Sequence, residues 1–351
     1  MKREADEQQA GAQRQLQLLV NGSRVTQIVA VAAKLGIADL LADRPRTAED
    51  LATATGAHAE ALYRVLRALA SIGIFTEVAP RRFSLTPLAT LLQANHPHSM
   101  RAWAIMSGEE PFRAWGDLLH SVMTGAPAFE HVYGAPRFEY LAQHPEMSAL
   151  FNQTMSEHSR RAASAILAAY DFPTTGVVVD VGGGQGILLT SVLQAHPALH
   201  GALFDQPHVV ASAMPILEEA GVADRCALVG GDFLTSTLPI GDLYLLRSVL
   251  HDWDDERSVA ILRAVAQAMA PGGKTLVIES VITPGNEASW AKFLDLQMLV
   301  MNGGRERTEE EYRELFAAAR LRLARTISTD GETSLLEGER HDTAPANAES
   351  S

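Results

Sequence analysis

The run Val177-Val-Val-Asp180-Val-Gly-Gly-Gly-Gln-Gly186 constrains the chain more than any other stretch. The valines leading into Asp180 read as a buried strand, because β-branched side chains suit a pleated surface. Glycines then fall at 182, 183, 184 and 186, and Leu188–Leu193 supplies helix-forming residues. Glycine serves in such a turn because it tolerates positive φ and lets a ligand approach the backbone. Strand, turn and helix start make a βα unit, and open α/β sheets bind ligands at the carboxyl ends of their strands. The spacing is not the dinucleotide pattern G-x-G-x-x-G, since the sixth place is Ile187. It reads D-x-G-x-G-x-G from Asp180 to Gly186. The plain alternative is a tight βα turn that holds no ligand.

The pattern repeats downstream. Gly201–Phe204 is a second strand with Asp205 at its end, and Ala227–Val229 a third, followed by Gly230-Gly-Asp232-Phe233. Asp242–Arg247 is a fourth, running into Ser248-Val-Leu-His251-Asp252-Trp253. A helix over Ile261–Met269, closed by Pro271-Gly-Gly, precedes a fifth strand over Thr275–Glu279. Strands and helices alternate, which predicts a doubly wound α/β fold for residues 171–340. An acidic residue about twenty positions beyond the glycines, Asp205 here, can accept both ribose hydroxyls of a nucleoside. Asp232 would offer a carboxylate to an adenine amino group and Phe233 a ring to its face.

Upstream, residues 14–98 read as a winged helix. Thr47-Ala-Glu-Asp50 is a capping-box signature. Leu62, Val65, Leu66, Leu69 and Ile72 form one apolar helical face, and Ile74–Val78 with Arg82–Leu85 flank a turn. A winged helix can read DNA, and Arg64, Arg67, Arg81 and Arg82 supply some positive charge. The helix also carries Glu60 and is otherwise mostly Ala, Leu and Val, and the chain has a formal net charge of −13. A buried interface helix explains this better than a major-groove helix, so no nucleic-acid partner is expected. Residues 99–170 read as helices broken by Gly and Pro, and residues 1–13 and 341–351 as disordered tails. A single cysteine, Cys226, cannot form an intrachain disulfide. No apolar leader follows Met1, and no run approaches the ~18 apolar residues of a membrane span. The expected location is the cytoplasm, with no membrane partner.

In this order and spacing, D-V-G-G-G-Q-G, F-D-Q-P-H-V, G-G-D-F, R-S-V-L-H-D-W-D-D-E, A-P-G-G-K, V-I-E-S and N-G-G-R-E-R-T resemble the S-adenosylmethionine (SAM)-dependent small-molecule O-methyltransferases. This is the COMT-like group that modifies plant phenolics and bacterial aromatic natural products. The resemblance covers nearly the whole chain, and the winged helix is similar to that group's dimerisation domain. It implies a Rossmann-like SAM domain and a homodimer. It also implies that Asp180, Gly182, Gly184, Asp205, Asp232, Phe233 and Arg247 bind the cofactor, Arg247 standing where plant members place a lysine. By the same resemblance His251 is the catalytic base, flanked by Glu279 and Glu306. Phe151, Met155, His158, Asp252, Met298 and Asn302 match acceptor-pocket positions, and Asn21–Arg24 is the stretch a partner subunit would bring. No metal is implied, and the cofactor product is S-adenosylhomocysteine.

The chemistry such a site must perform is limited. SAM carries its methyl on a sulfonium, so the electrophile is already activated. The enzyme must align the acceptor oxygen and raise its nucleophilicity. A phenol near pKa ~10 and an imidazole near ~6.5 leave a gap worth about 5 kcal/mol for full proton transfer. Carboxylates beside the imidazole and a sulfonium beside the phenol both narrow it. The expected activity is methylation of an aromatic hydroxyl in a bacterial natural-product pathway. Two alternatives use the same scaffold. One is polyketide tailoring without methyl transfer, as decarboxylation or hydroxylation. The other is transfer to a nitrogen or a carboxylate.

Overall fold

A computed structural model describes residues 2–331 and 333–340. The expected tail at 341–351 lies outside the described residues. The chain forms two compact units, Met1–Arg113 with Ala149–Glu157 and Ala114–Ser148 with His158–Ser351.

The first unit opens on helices Lys2–Val20 and Gly22–Lys34, separated at Asn21. Residues 2–13 are therefore helical, which corrects the tail expected there. Their Glu, Gln, Ala and Arg residues are good helix formers, interrupted by Gly11 alone. The capping box at Thr47 forms as expected. Thr47 Oγ1 accepts from the Asp50 amide at 3.1 Å, and Asp50 Oδ2 accepts from the Thr47 amide at 3.3 Å. Helix Ala59–Ser71 buries Leu62, Leu66 and Leu69 in a core shared with Phe75 and Phe83. Strands β1 (Arg46–Thr47), β2 (Phe75–Ala79) and β3 (Arg82–Leu85) pair antiparallel in the order β1-β3-β2, which is the expected wing. Arg81 at its tip contacts Glu49 at 2.6 Å and Glu60 at 3.1 Å, so its charge already has partners.

The second unit is built on seven strands, β4 (Gly176–Val181), β5 (Leu199–Asp205), β6 (Cys226–Gly230), β7 (Gly241–Arg247), β8 (Met269–Glu279), β9 (Leu321–Ser328) and β10 (Ser334–Arg340). Their order is β6-β5-β4-β7-β8-β10-β9. Strands β4 to β8 pair in parallel, and β10 joins both β8 and β9 antiparallel. The chain runs outward from β4 through β5 and β6, then returns to the other side of β4 at β7. The β4/β7 junction is thus the topological switch point, where such sheets hold ligands. Alternate residues of each strand enter opposite cores. Val179, Val181, Leu246 and Val277 pack with helices Asp255–Ala268 and Glu309–Ala318. Val178, Leu203, Leu245 and Ile278 pack with helix Ile187–Ala195.

Two boundaries differ from the sequence reading. The helix expected to reach Met269 ends at Ala268, and Met269 already pairs with Gly241, so Pro271-Gly-Gly lies inside β8. The helical stretch 99–170 is not a separate segment. Helix Arg101–Ser107 belongs to the first unit, helix Arg137–Gln143 to the second, and helix Pro145–Ala169 contributes residues to each. No described helix is long and apolar enough to cross a membrane.

Gly338 sits where β10 shifts register, and a Cβ there would lie 2.1 Å from the Phe316 ring and 2.9 Å from Thr275. Gly338→Ala should therefore lower stability by about 1–3 kcal/mol through overpacking. A reduced urea midpoint at unchanged slope checks this.

Candidate active site

The glycine turn follows β4 and is shaped from several sides. Gly182, Gly184 and Gly186 have φ of 67°, 60° and 77°. A Cβ at Gly182 would lie 2.8 Å from Val249 Cγ2, and one at Gly183 would lie 2.5 Å from Asp180 Cγ. The Gly182 amide donates to the Phe204 carbonyl at 2.8 Å. The Gly184 amide donates to Asp205 Oδ2 at 2.8 Å, which ties the turn to the end of β5. Burial raises the Asp205 carboxyl's pKa, against the pull of the Gly184 and Gln206 amides.

Asp180, one residue before the end of β4, and Arg247, the last of β7, lie on neighbouring strands. Asp180 is 1% exposed, and its Oδ2 has no hydrogen-bond partner among the described residues. Burial pushes its pKa up to about 7; the Asp205 charge adds to this and the Arg247 cation opposes it. Arg247 donates from Nη1 to Ser159 Oγ at 2.9 Å, while its buried Nε and Nη2 have no partner among the described residues. Burial lowers its pKa to about 10, opposed by Glu279 and Asp180. Buried polar groups left unpaired are costly. A carboxylate and a guanidinium with unmatched atoms here suit a ligand with both charges, as the amino-acid end of SAM has. Phe233 stands edge-on to Trp253, with ring centres 5.7 Å apart and planes at 87°. Exposed Asp232 accepts from the Leu234 amide at 2.9 Å, a local turn contact.

The expected base sits one strand away. Ser248, just after β7, has a φ of 54°, uncommon for a residue with a side chain. It opens the short turn Leu250–Asp252, in which His251 is 7% exposed. His251 Nδ1 is 2.6 Å from Glu306 Oε1 and 3.3 Å from Glu279 Oε2. These contacts place the Nδ1 proton toward the carboxylates and leave Nε2 for an acceptor. Glu279 has a second role that its sequence position did not disclose. Its Oε1 accepts from the amides of Val249 at 3.0 Å, Leu250 at 2.9 Å and His251 at 3.4 Å. The Glu306 amide donates to Asp295 Oδ1 at 3.0 Å, a partner that sequence reasoning also missed.

Burial opposes the charged imidazole, but the Glu279, Glu306 and Asp252 carboxylates outweigh it and push the His251 pKa up to about 10. Burial also raises the Glu279 pKa, against the pull of the imidazolium. Groups this close titrate as a unit. The cluster holds its proton on His251.

The acceptor candidates divide. Asp252 Oδ1 lies 3.8 Å from His251 Nε2 and accepts from Asn302 Nδ2, so these residues do assemble at the base. Burial raises the Asp252 pKa, while His251 and Arg137 pull it down. His158 is kept neutral, its pKa lowered to about 3 by burial and then by the Arg247, Arg161 and His251 cations. Met298 is buried, and its carbonyl accepts from the Asn302 and Gly303 amides at 2.9 Å. Phe151 and Met155 are half-buried on helix Pro145–Ala169 and belong to the other compact unit.

In the ligand-free protein, the His251 imidazole should remain protonated above pH 8, well beyond the ~6.5 of a free histidine. Glu306→Gln should lower that midpoint. An NMR titration of histidine-labelled protein reads both, and a wild-type midpoint near that of free histidine would contradict the cluster as described.

A glycine turn at a sheet's switch point, a buried carboxylate and guanidinium with unmatched atoms, and a carboxylate-flanked histidine are the features of a Rossmann-like methyltransferase. Residues 115–322 match the O-methyltransferase domain model, and residues 17–95 match the O-methyltransferase dimerisation domain. The chain belongs to this family of SAM-dependent O-methyltransferases. It is 50% identical over 319 residues to the phenazine O-methyltransferase PhzM of Lysobacter antibioticus, covering 91% of this chain and 94% of that one. The crystal structure of LaPhzM superposes with a TM-score of 0.91 at 48% identity, over 94% of this chain and 99% of that one. NcsB1, an O-methyltransferase of neocarzinostatin biosynthesis solved with SAM and 2-hydroxy-5-methyl naphthoic acid, has a TM-score of 0.79 at 37% identity, over 90% and 96% of the two chains.

Proposed function

We propose that this enzyme transfers the methyl of SAM to a hydroxyl of an aromatic small molecule, with His251 as general base. The observation that carries the reading is the 2.6 Å contact between His251 Nδ1 and Glu306, backed by Glu279. It fixes the ring and leaves Nε2 to take a proton. A carboxylate acceptor needs no base, and decarboxylation or hydroxylation leaves the sulfonium's methyl untransferred, so this arrangement favours a weakly acidic hydroxyl. The phenazine of PhzM and the naphthoic acid of NcsB1, both aromatic, fit the same choice. The enzyme acts as a homodimer through its N-terminal unit, in the cytoplasm. The match of residues 17–95 to a dimerisation domain supports the first part.

SAM supplies the activated methyl. The chain's own residues do the rest. Asp180 and Arg247 hold the amino-acid tail by charge, Asp205 takes the ribose hydroxyls, and Asp232 and Phe233 hold the adenine. His158, Asp252, Met298 and Asn302 receive the acceptor, Asp252 and Asn302 beside the base. Neutral His158 adds no positive charge to those of Arg247, Arg161 and His251, which help to keep it neutral. A bound sulfonium disfavours a protonated imidazole, so the donor's own charge lowers the base's pKa toward its working range. Holding donor and acceptor in line can supply ~7–11 kcal/mol of the barrier.

With a labelled methyl donor and hydroxylated aromatic acceptors, His251→Ala should keep its affinity for S-adenosylhomocysteine. It should lose turnover by about 10²–10⁴-fold, the usual share of general-base catalysis. Full turnover in that variant would sink the role. The base works in its neutral form, so the rate should rise with pH. The limb in kcat/KM for SAM, which reports the free enzyme, should lie at higher pH than the limb in kcat. Coincident limbs would mean that the donor's charge does not reach His251.

Arg247→Met offers a separate check on the tail contact. Calorimetry should show weaker binding of S-adenosylhomocysteine and unchanged binding of methylthioadenosine, which lacks the tail. Equal losses for both ligands would remove Arg247 from that contact.

A further inference from the structure

The turn that carries His251 is gripped on both of its polar edges by residues of opposite charge. On one edge, Glu279 Oε1 accepts the three consecutive amides 249, 250 and 251. On the other edge lie the carbonyls, and the segment Asn302–Arg307 meets them. The Arg305 amide donates to the His251 carbonyl at 2.9 Å. Arg307 is fully buried at 0% exposure. From Nη1 it donates to the Leu250 carbonyl at 3.1 Å, and from Nη2 to the Trp253 carbonyl at 2.9 Å. Its remaining contacts anchor the fork itself. They run from Nε to Asp255 Oδ1 at 2.9 Å, from Nη1 to the Arg305 carbonyl at 3.3 Å and from Nη2 to Ser258 Oγ at 3.2 Å.

We infer that Arg307 is a positioning residue for methyl transfer: its guanidinium clamps the carbonyls on either side of His251-Asp252 and so fixes where the imidazole stands. The inference rests on the reading of His251 as the base. A buried cation is expensive to desolvate, and an apolar residue of similar volume often serves stability as well or better. What an apolar residue cannot do is hold two carbonyls three residues apart in one plane, which a rigid fork of donors does. A turn of three residues has little rigidity of its own, and Ser248 enters it at a positive φ that must be held. Glu279 orients the amide edge, Arg307 the carbonyl edge, and the imidazole between them meets Glu306, the neighbour of Arg307 in the chain. Gly304 allows this approach, since a Cβ there would come within 2.0 Å of the His251 carbonyl oxygen.

Arg307→Lys keeps the charge and loses the fork. Its kcat should fall by about 10- to 100-fold, the scale of a misplaced catalytic group. KM for the acceptor and affinity for S-adenosylhomocysteine should stay within about threefold, because the residue touches neither ligand. The His251 ring signals of histidine-labelled enzyme should shift or broaden, a change that a merely stabilising residue would not cause. Unchanged kcat per folded molecule, or an unmoved His251 signal, would overturn the inference. So would equal losses in kcat and in ligand affinity. Should Arg307→Lys not fold, Gly304→Ala presses on the same turn from the carbonyl side and is expected to give the same kcat-only loss; an unchanged kcat there overturns the inference as well. His251→Ala assayed in parallel keeps the two readings apart. If it stays active, the assignment of the base fails. If it is dead while Arg307→Lys is fully active, only the positioning role fails.

Discussion

The carboxylate of Glu279 is the contact on which the catalytic end of the sheet depends. It ends β8, the strand beside β7, and faces the turn that β7 runs into. One of its oxygens collects three backbone amides and the other lies against His251. Burial raises its pKa, and the imidazolium and the amide donors pull against that rise. The same group therefore shapes the backbone and sets the charge of the side chain that backbone carries.

Charge is arranged in two buried sets along the strand ends. Asp180 lies one residue before the end of β4 and Arg247 ends β7, with unmatched atoms in both. His251 and Asp252 follow β7, Glu279 ends β8, and Glu306 lies against the imidazole. In the second set the carboxylates compensate the buried imidazolium and push its pKa up to about 10.

Much of this was legible in the sequence, for identifiable reasons. Strands β4 to β8 could be read because each is a short apolar run closed by turn residues, and the glycines after β4 could be read because their spacing is discriminating. The carboxyl ends of those strands carried Asp205, Arg247, His251 and Glu279 in plain view. Strands β9 and β10 were not seen. They are antiparallel, and in β9 exposed Arg322 separates buried Leu321 from Leu323, so no continuous apolar run marks it. The helix over 2–13 was missed because a polar, charged stretch looks like a tail unless helix propensity is weighed. Glu306 could be named from its motif, but its neighbour Arg307 could not be assigned a task, because an arginine in a polar loop is ordinarily solvated. The contact of Asn302 with Asp252 spans fifty positions of chain, and no local pattern reports it.

The placement of the glycine turn and of His251 after hydrogen-bonded neighbours in one sheet has a mechanical consequence. In the parallel β4–β7 pairing, Asp180 lies opposite Leu245, two residues before Arg247. The offset between the glycine turn and the His251 turn is thereby set by ladder register, in steps of about 3.3 Å per residue. No rotamer change can mimic such a step, and no partial slip is available to a paired strand. Sequence drift at the periphery can reshape the surroundings of these two turns while the offset between them stays quantised by the sheet.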